Sequence, residues 1–166
     1  CSSGQWRQAL QPARPTIPLE EIDTRESVEW NIRRLCFERK AYLAEELPDL
    51  IKSSFLNATR EASVERYLDI LASLSGEGKN PAEIAKSTGI LHNEHLTDHL
   101  TALKLSGIVA ENPSWNLKTT SLQKRGMYYR VNDRYTRFYI RYIRPHLKEI
   151  DAGSYRQIAL RQLPGW

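Results

Sequence analysis

The sequence predicts a mainly α-helical protein, a winged helix-turn-helix with a small β-hairpin wing, flanked by linker helices and by a basic aromatic C-terminal helix. Three observations carry that prediction. First, Asn80-Pro81-Ala82-Glu83 opens a short helix that Gly89 stops, and a second helix follows with Leu96, Leu100 and Leu103 at i, i+4 and i+7 before Gly107. Second, the β-prone Ile108-Val109-Ala110 comes at once, then a polar loop and the strand-like Met127-Tyr128-Tyr129-Arg130-Val131, which together read as a hairpin. Third, Val64, Tyr67, Leu68, Leu71 and Leu74 keep helical spacing upstream, supplying the first helix of a three-helix core.

Taken in order, residues 1–19 hold Pro12, Pro15 and Pro18, a bare Trp6 and little apolar periodicity, as a linker or the remnant of a preceding domain would. Residues 20–57 read as a helical linker. Asp23 or Thr24 can cap its first helix, with Glu26 in the first turn and Val28, Ile32, Leu35 and Cys36 at helical spacing to about residue 40. A second apolar set, Tyr42, Leu43, Leu47, Leu50, Ile51 and Phe55, is interrupted by Pro48. Proline lacks an N–H and crowds the preceding turn, so two helical pieces are expected there.

Residues 58–131 are assigned to the winged helix. Its first helix ends at Ser75-Gly76-Glu77-Gly78. The next has Asn80 as N-cap, Pro81 at the first helical position and Glu83 three residues after the cap, the pattern of a capping box. The helix after it is expected over about 93–106. Residues 132–166 comprise the basic aromatic helix and the start of a following segment, with Asn132-Asp133 as cap and the residue before Pro145 as the end. Tyr135, Phe138, Tyr139 and Tyr142 form an aromatic stripe along it, beside a ridge of Arg134, Arg137, Arg141 and Arg144. One packed face and one available face are expected.

Composition narrows the function. With 40% hydrophobic and 27% charged residues over 166 positions, the chain has the make-up of a globular protein that can bury one good core. No apolar run approaches the roughly 18 residues of a membrane span, and no secretory signal is visible. Because residue 1 is Cys rather than Met, an excerpt of a longer chain is expected. Cys1 and Cys36 show no CxxC or Cys/His spacing, which points to free thiols in a reducing, cytoplasmic setting. Residues 1–111 carry 13 basic against 17 acidic side chains and residues 112–166 carry 11 against 3, so a polyanion would meet the C-terminal third.

The run Tyr129-Arg130-Val131-Asn132-Asp133-Arg134-Tyr135-Thr136-Arg137-Phe138-Tyr139-Ile140-Arg141-Tyr142-Ile143-Arg144-Pro145, followed by Glu149-Ile150-Asp151-Ala152-Gly153, resembles a signature block of archaeal-type ATPases, a AAA/STAND-class family of archaea and bacteria. Ile84-Ala85, Thr88-Gly89-Ile90, Leu96, Leu100, Leu103 and Gly107-Ile108-Val109 also fit that family's helix-turn-helix, and Ser27-Val28-Glu29-Trp30-Asn31-Ile32 its linker. The resemblance covers residues 18–166, with Tyr139 where the family often has Trp. It implies a C-terminal, non-catalytic module whose partners are the protein's own ATPase domain, which precedes this region in the family, and a nuclease-like C-terminal domain after it. ATP and Mg²⁺ would be cofactors of the parent protein. This chain has no GxxxxGK[ST] loop to cradle a triphosphate, so no cofactor and no ATP hydrolysis are expected of it alone.

Candidate contact residues follow from chemistry. The outward arc of the 93–106 helix carries Asn93, Glu94, Thr97, Asp98, Thr101 and Lys104, two acids against one base, so phosphate repels much of it and only Asn93 could read an adenine edge. The wing supplies Lys118, Lys124 and Arg125 among hydroxyl residues, a basic loop suited to a phosphate backbone. Arg134, Arg137, Arg141 and Arg144 are candidates for interdomain or phosphate contact. His92, His95 and His99 flank the leucine stripe, but no cysteine lies near and they read as core-edge imidazoles rather than metal ligands. Glu45, Glu46 and Asp49 lack a partner base, and no catalytic residue is assigned. The function expected is interdomain contact with non-specific duplex DNA binding as a second activity. The alternatives are a free-standing winged-helix transcriptional regulator and a protein-interaction adaptor, and no membrane partner is expected.

Overall fold

The computed structural model describes residues 19–55, 61–91, 94–116 and 121–155. A 3-10 turn (Leu19–Glu21) leads to α1 (Val28–Cys36). Its cap is Ser27, whose Oγ accepts from the Trp30 N–H, so the helix starts later than the expected cap at Asp23 or Thr24. Asp23 is engaged otherwise. Its carboxylate accepts from the Arg25 guanidinium, and the buried Asn31 amide brackets its peptide group, accepting from the Asp23 N–H at 2.9 Å and donating to the Asp23 carbonyl at 2.8 Å. The helix also stops at Cys36, short of residue 40, because the chain turns Phe37 into the core and Lys40 takes a left-handed φ of 58°.

Pro48 lies inside α2 (Tyr42–Ser54), which is one helix where two pieces were expected. A mid-helix proline costs roughly 3 kcal/mol relative to Ala. Burial of Leu43, Ala44, Leu47 and Ile51 along one face offsets that cost, and the Tyr135 hydroxyl donates to the Leu43 carbonyl in the turn before the proline. Helix α3 (Glu61–Ser73) buries Val64, Tyr67, Leu68 and Leu71 as its spacing predicts, together with Ile70 and, just past its end, Leu74.

Helix α4 (Pro81–Thr88) has the predicted capping box in full: Asn80 Oδ1 accepts from the Glu83 N–H at 2.9 Å, and Glu83 Oε2 from the Asn80 N–H at 2.8 Å. Gly89 ends the helix at φ 72°, a backbone conformation that costs glycine nothing. Asn80→Ala is expected to lower stability by about 1 kcal/mol. The measurement is the urea midpoint, which should fall with an unchanged slope.

Helix α5 (Glu94–Leu105) buries Leu96, Leu100 and Leu103, and Gly107 follows at φ 77°. The chain then forms the antiparallel hairpin of β1 (Val109–Asn116) and β2 (Ser121–Val131), paired from Val109 opposite Val131 to Pro113 opposite Met127. Lys79, just before α4, exchanges both backbone hydrogen bonds with Tyr129 at 3.0 and 2.9 Å. That one-residue bridge fastens the hairpin to the segment between α3 and α4.

Beyond the hairpin, Asp133 caps α6 (Arg134–Phe138). The helical path does not stop before Pro145 as expected. It widens into a π turn (Tyr139–Ile143), passes through a 3-10 turn (Arg144–His146) that contains the proline, and ends as α7 (Leu147–Asp151). The Arg144 N–H reaches back to the Tyr139 carbonyl, one residue further than in an α-helix, and the wider turn makes room for a ring with no N–H to donate. Tyr139, Ile140, Tyr142 and Ile143 are buried between α2 and α3 while Arg134, Arg137 and Arg141 are exposed, so the path has one packed face and one face open to solvent. The buried apolar side chains from Leu35 to Tyr155 form one cluster, so residues on both sides of the expected 57/58 boundary share a core. The protein is thus mainly helical with a small two-stranded antiparallel sheet. No helix among the described residues is long and apolar enough to cross a membrane.

Candidate nucleic-acid interface

The leucine stripe of α5 faces the core, and this turns Thr97, Asp98, Thr101 and Lys104 to the surface. Lys104 is not available as a simple phosphate ligand. Its Nζ sits 2.6 Å from Glu111 Oε2 on β1, and Glu111 also accepts from the Tyr129 hydroxyl at 2.8 Å. The Lys104 ammonium, then the Tyr129 hydroxyl, holds the Glu111 carboxyl below the usual carboxylate range. Burial, reinforced by Glu111, pushes the Tyr129 phenol up to about 12. Asp98 adds negative charge to the same helix face, so α5 offers no cluster of unengaged cations to a duplex. Asn93 lies outside the described residues.

The hairpin is the more promising element. Lys118 lies outside the described residues, whereas Lys124 and Arg125 fall on β2 in an irregular stretch. Pro113 pairs with Met127 and Trp115 with Leu122, leaving Ser114 opposite residues 123–126. Proline cannot donate to a ladder, and such breaks bend a strand and re-aim what it carries. Gly126, at φ 117°, closes the irregular stretch. On the regular part of β2, Tyr128 and Arg130 are exposed while Tyr129 is half-buried and Val131 buried, so an aromatic and a guanidinium share the outer face. Period-two alternation in Met127–Val131 carries the signal for that pair, which a search for basic clusters passes over.

The arginine ridge survives in part: Arg134, Arg137 and Arg141 are exposed, and Arg144 is drawn against α3. Arg137 turns back on the hairpin, its Nε and Nη2 donating to the Val131 carbonyl at 3.0 and 2.8 Å. Arg144 points to α3, donating to the Leu68 carbonyl at 3.0 Å and reaching Glu65 at 3.1 Å and Asp69 at 2.6 Å. Arg134 and Arg141 remain exposed, with the Arg141 guanidinium 5.4 Å from the centroid of the Tyr142 ring.

His92 lies outside the described residues. His99 packs against Tyr67 with the rings tilted by 45° and their centroids 4.5 Å apart, and its Nδ1 contacts the His95 carbonyl. Among the described residues no three metal-ligating side chains come together. Cys36 is buried, and burial pushes its thiol up to about 12, far from a reactive thiolate. No protein family, curated protein or solved structure matches the chain.

Proposed function

We propose that the chain is a non-catalytic winged-helix module that makes interdomain contacts within an ATP-dependent switch of the archaeal-type AAA/STAND class, and that its hairpin touches DNA without sequence preference. The observation that supports this reading is the order α3, Lys79 bridge, α4, α5, β1, β2, in which the bridge to Tyr129 fastens the hairpin to the segment between α3 and α4, an order compatible with a wing. Contact between domains is favoured over sequence readout because Lys104, Arg137 and Arg144 are each bonded within the fold. The intact mass of the natural polypeptide tests the ATPase relationship: a chain several hundred residues long with a P-loop upstream supports it, and a natural product starting near Cys1 removes it.

Binding to a random duplex tests the hairpin. Affinity should fall steeply from low to high salt, and the double charge reversal K124E/R125E should reduce the slope of log K against log salt by about 2. No binding at low salt would leave a protein-interaction adaptor. That alternative has its own support in Leu91, 76% exposed after α4, and Leu105, 55% exposed at the end of α5.

A further inference from the structure

In the cleft at the junction of α2, α3 and α5, an aromatic wall meets an unpaired hydroxyl and charges of both signs. Its volume is about 570 Å³, within the range of pockets that hold small molecules. Asp98, His99 and Ala102 line it from one face of α5, Arg66 and Tyr67 from α3, and Phe55 from just past the end of α2. Three of these rings make the wall. Phe55 stacks on Tyr67 with centroids 4.6 Å and planes 19° apart, and Tyr67 meets His99 at 4.5 Å with a 45° tilt. Phe55 and Tyr67 are buried, whereas His99 is half-buried and is the ring of this ladder most open to solvent. The contact of its Nδ1 with the His95 carbonyl fixes how the imidazole lies.

The polar groups of the cleft are unsatisfied from within. Tyr67 is 4% exposed, yet its hydroxyl makes no hydrogen bond to any described residue. A hydroxyl buried without a partner is unfavourable, and a group supplied from outside removes that cost. Burial, and then the charge of Asp98, raises the Tyr67 phenol above its ordinary range, so the hydroxyl lies within electrostatic reach of that carboxylate. Neither Asp98 nor Arg66 forms an ion pair among the described residues. Asp98 can only accept, Arg66 can only donate, and the Tyr67 hydroxyl does both. A simple anion would meet Asp98, a simple cation would meet Arg66, and neither would use the rings. A flat heterocycle with N–H donors and an acceptor on its edge suits all of them, because its face packs on the ladder while its edge pairs with the three polar side chains.

We propose that this cleft binds a planar N–H heterocycle of the purine type, packed on His99 and Tyr67, with its N–H edge on Asp98 and Tyr67 and an acceptor facing Arg66. The site is independent of the hairpin and of any contact with DNA. A ligand seated there touches α2, α3 and α5 together and binds only the folded chain, so it also stabilises the fold.

The test titrates guanosine into the ¹⁵N-labelled full chain. Saturable shifts are expected at the Tyr67, Asp98 and His99 amides and not along β2, and the urea midpoint should rise in saturating guanosine. Inosine lacks the exocyclic amine and should bind more weakly, for want of a second donor to Asp98. Asp98→Asn should weaken guanosine binding by about tenfold or more, and Tyr67→Phe, which keeps the ring, by severalfold. Arg141→Met should leave it unchanged. No saturable shift up to the solubility limit of guanosine would overturn the proposal, as would shifts centred on another element or an affinity that neither Asp98→Asn nor Tyr67→Phe alters.

Discussion

Phe37→Ala is expected to lower the stability of the whole chain by about 3–5 kcal/mol. Phe37 is 1% exposed and stacks on Tyr155 with centroids 4.7 Å apart, while Phe138 packs against it at 6.2 Å. The ring thus joins the turn after α1 to the helical path that follows the hairpin. Removing it leaves a cavity that several elements cannot close by small shifts, since interiors are packed to crystal density. Because the buried residues form one cluster, the loss should appear as a single urea transition moved to lower midpoint, the same by far-ultraviolet circular dichroism and by tryptophan fluorescence. Two separated transitions would mean that the 20–57 segment has a core of its own.

Arg144→Met is expected to cost about 2–3 kcal/mol, which is less than three charged hydrogen bonds would sum to. The discount follows from exposure: the Arg144 side chain is 20% exposed, but its partners Glu65 and Asp69 are 58% and 49% exposed, and water screens pairs of that kind. The bond to the Leu68 carbonyl is the better sheltered, and the flat guanidinium reaches all three acceptors at once. Lysine keeps the charge without the fork, so Arg144→Lys should recover less than half of the loss. Arg141→Met is the control. Its side chain is exposed over Tyr142, and a change within about 0.5 kcal/mol is expected. Equal midpoints for Arg144→Met and the wild type would show that the arginine is a surface group after all.

The difference between Arg144 and Arg141 illustrates a general limit. Both lie in a row that helical periodicity draws as one ridge, and nothing within three or four residues of either separates them. What does so is Glu65, Leu68 and Asp69, more than seventy positions away in the chain. The same holds for Lys104, whose partner Glu111 lies on the next element. Charge counts therefore overstate the basic surface available to a phosphate backbone.

What depends on neighbours in the chain is legible from the residues alone: the Asn80/Glu83 capping box, the stop at Gly89, the buried stripes of α3 and α5, and a hairpin after Gly107. Each is a local balance of backbone hydrogen bonding, φ preference and periodicity, complete within one or two turns. Distant packing, in contrast, keeps Pro48 inside a helix, carries the path through Pro145, pairs Lys79 with Tyr129 and draws Arg144 against α3. A proline's local penalty is a few kcal/mol, and burying a helix face against a shared core yields as much or more. Whether that burial is available depends on which distant residues arrive there, and no short stretch of the chain contains that information.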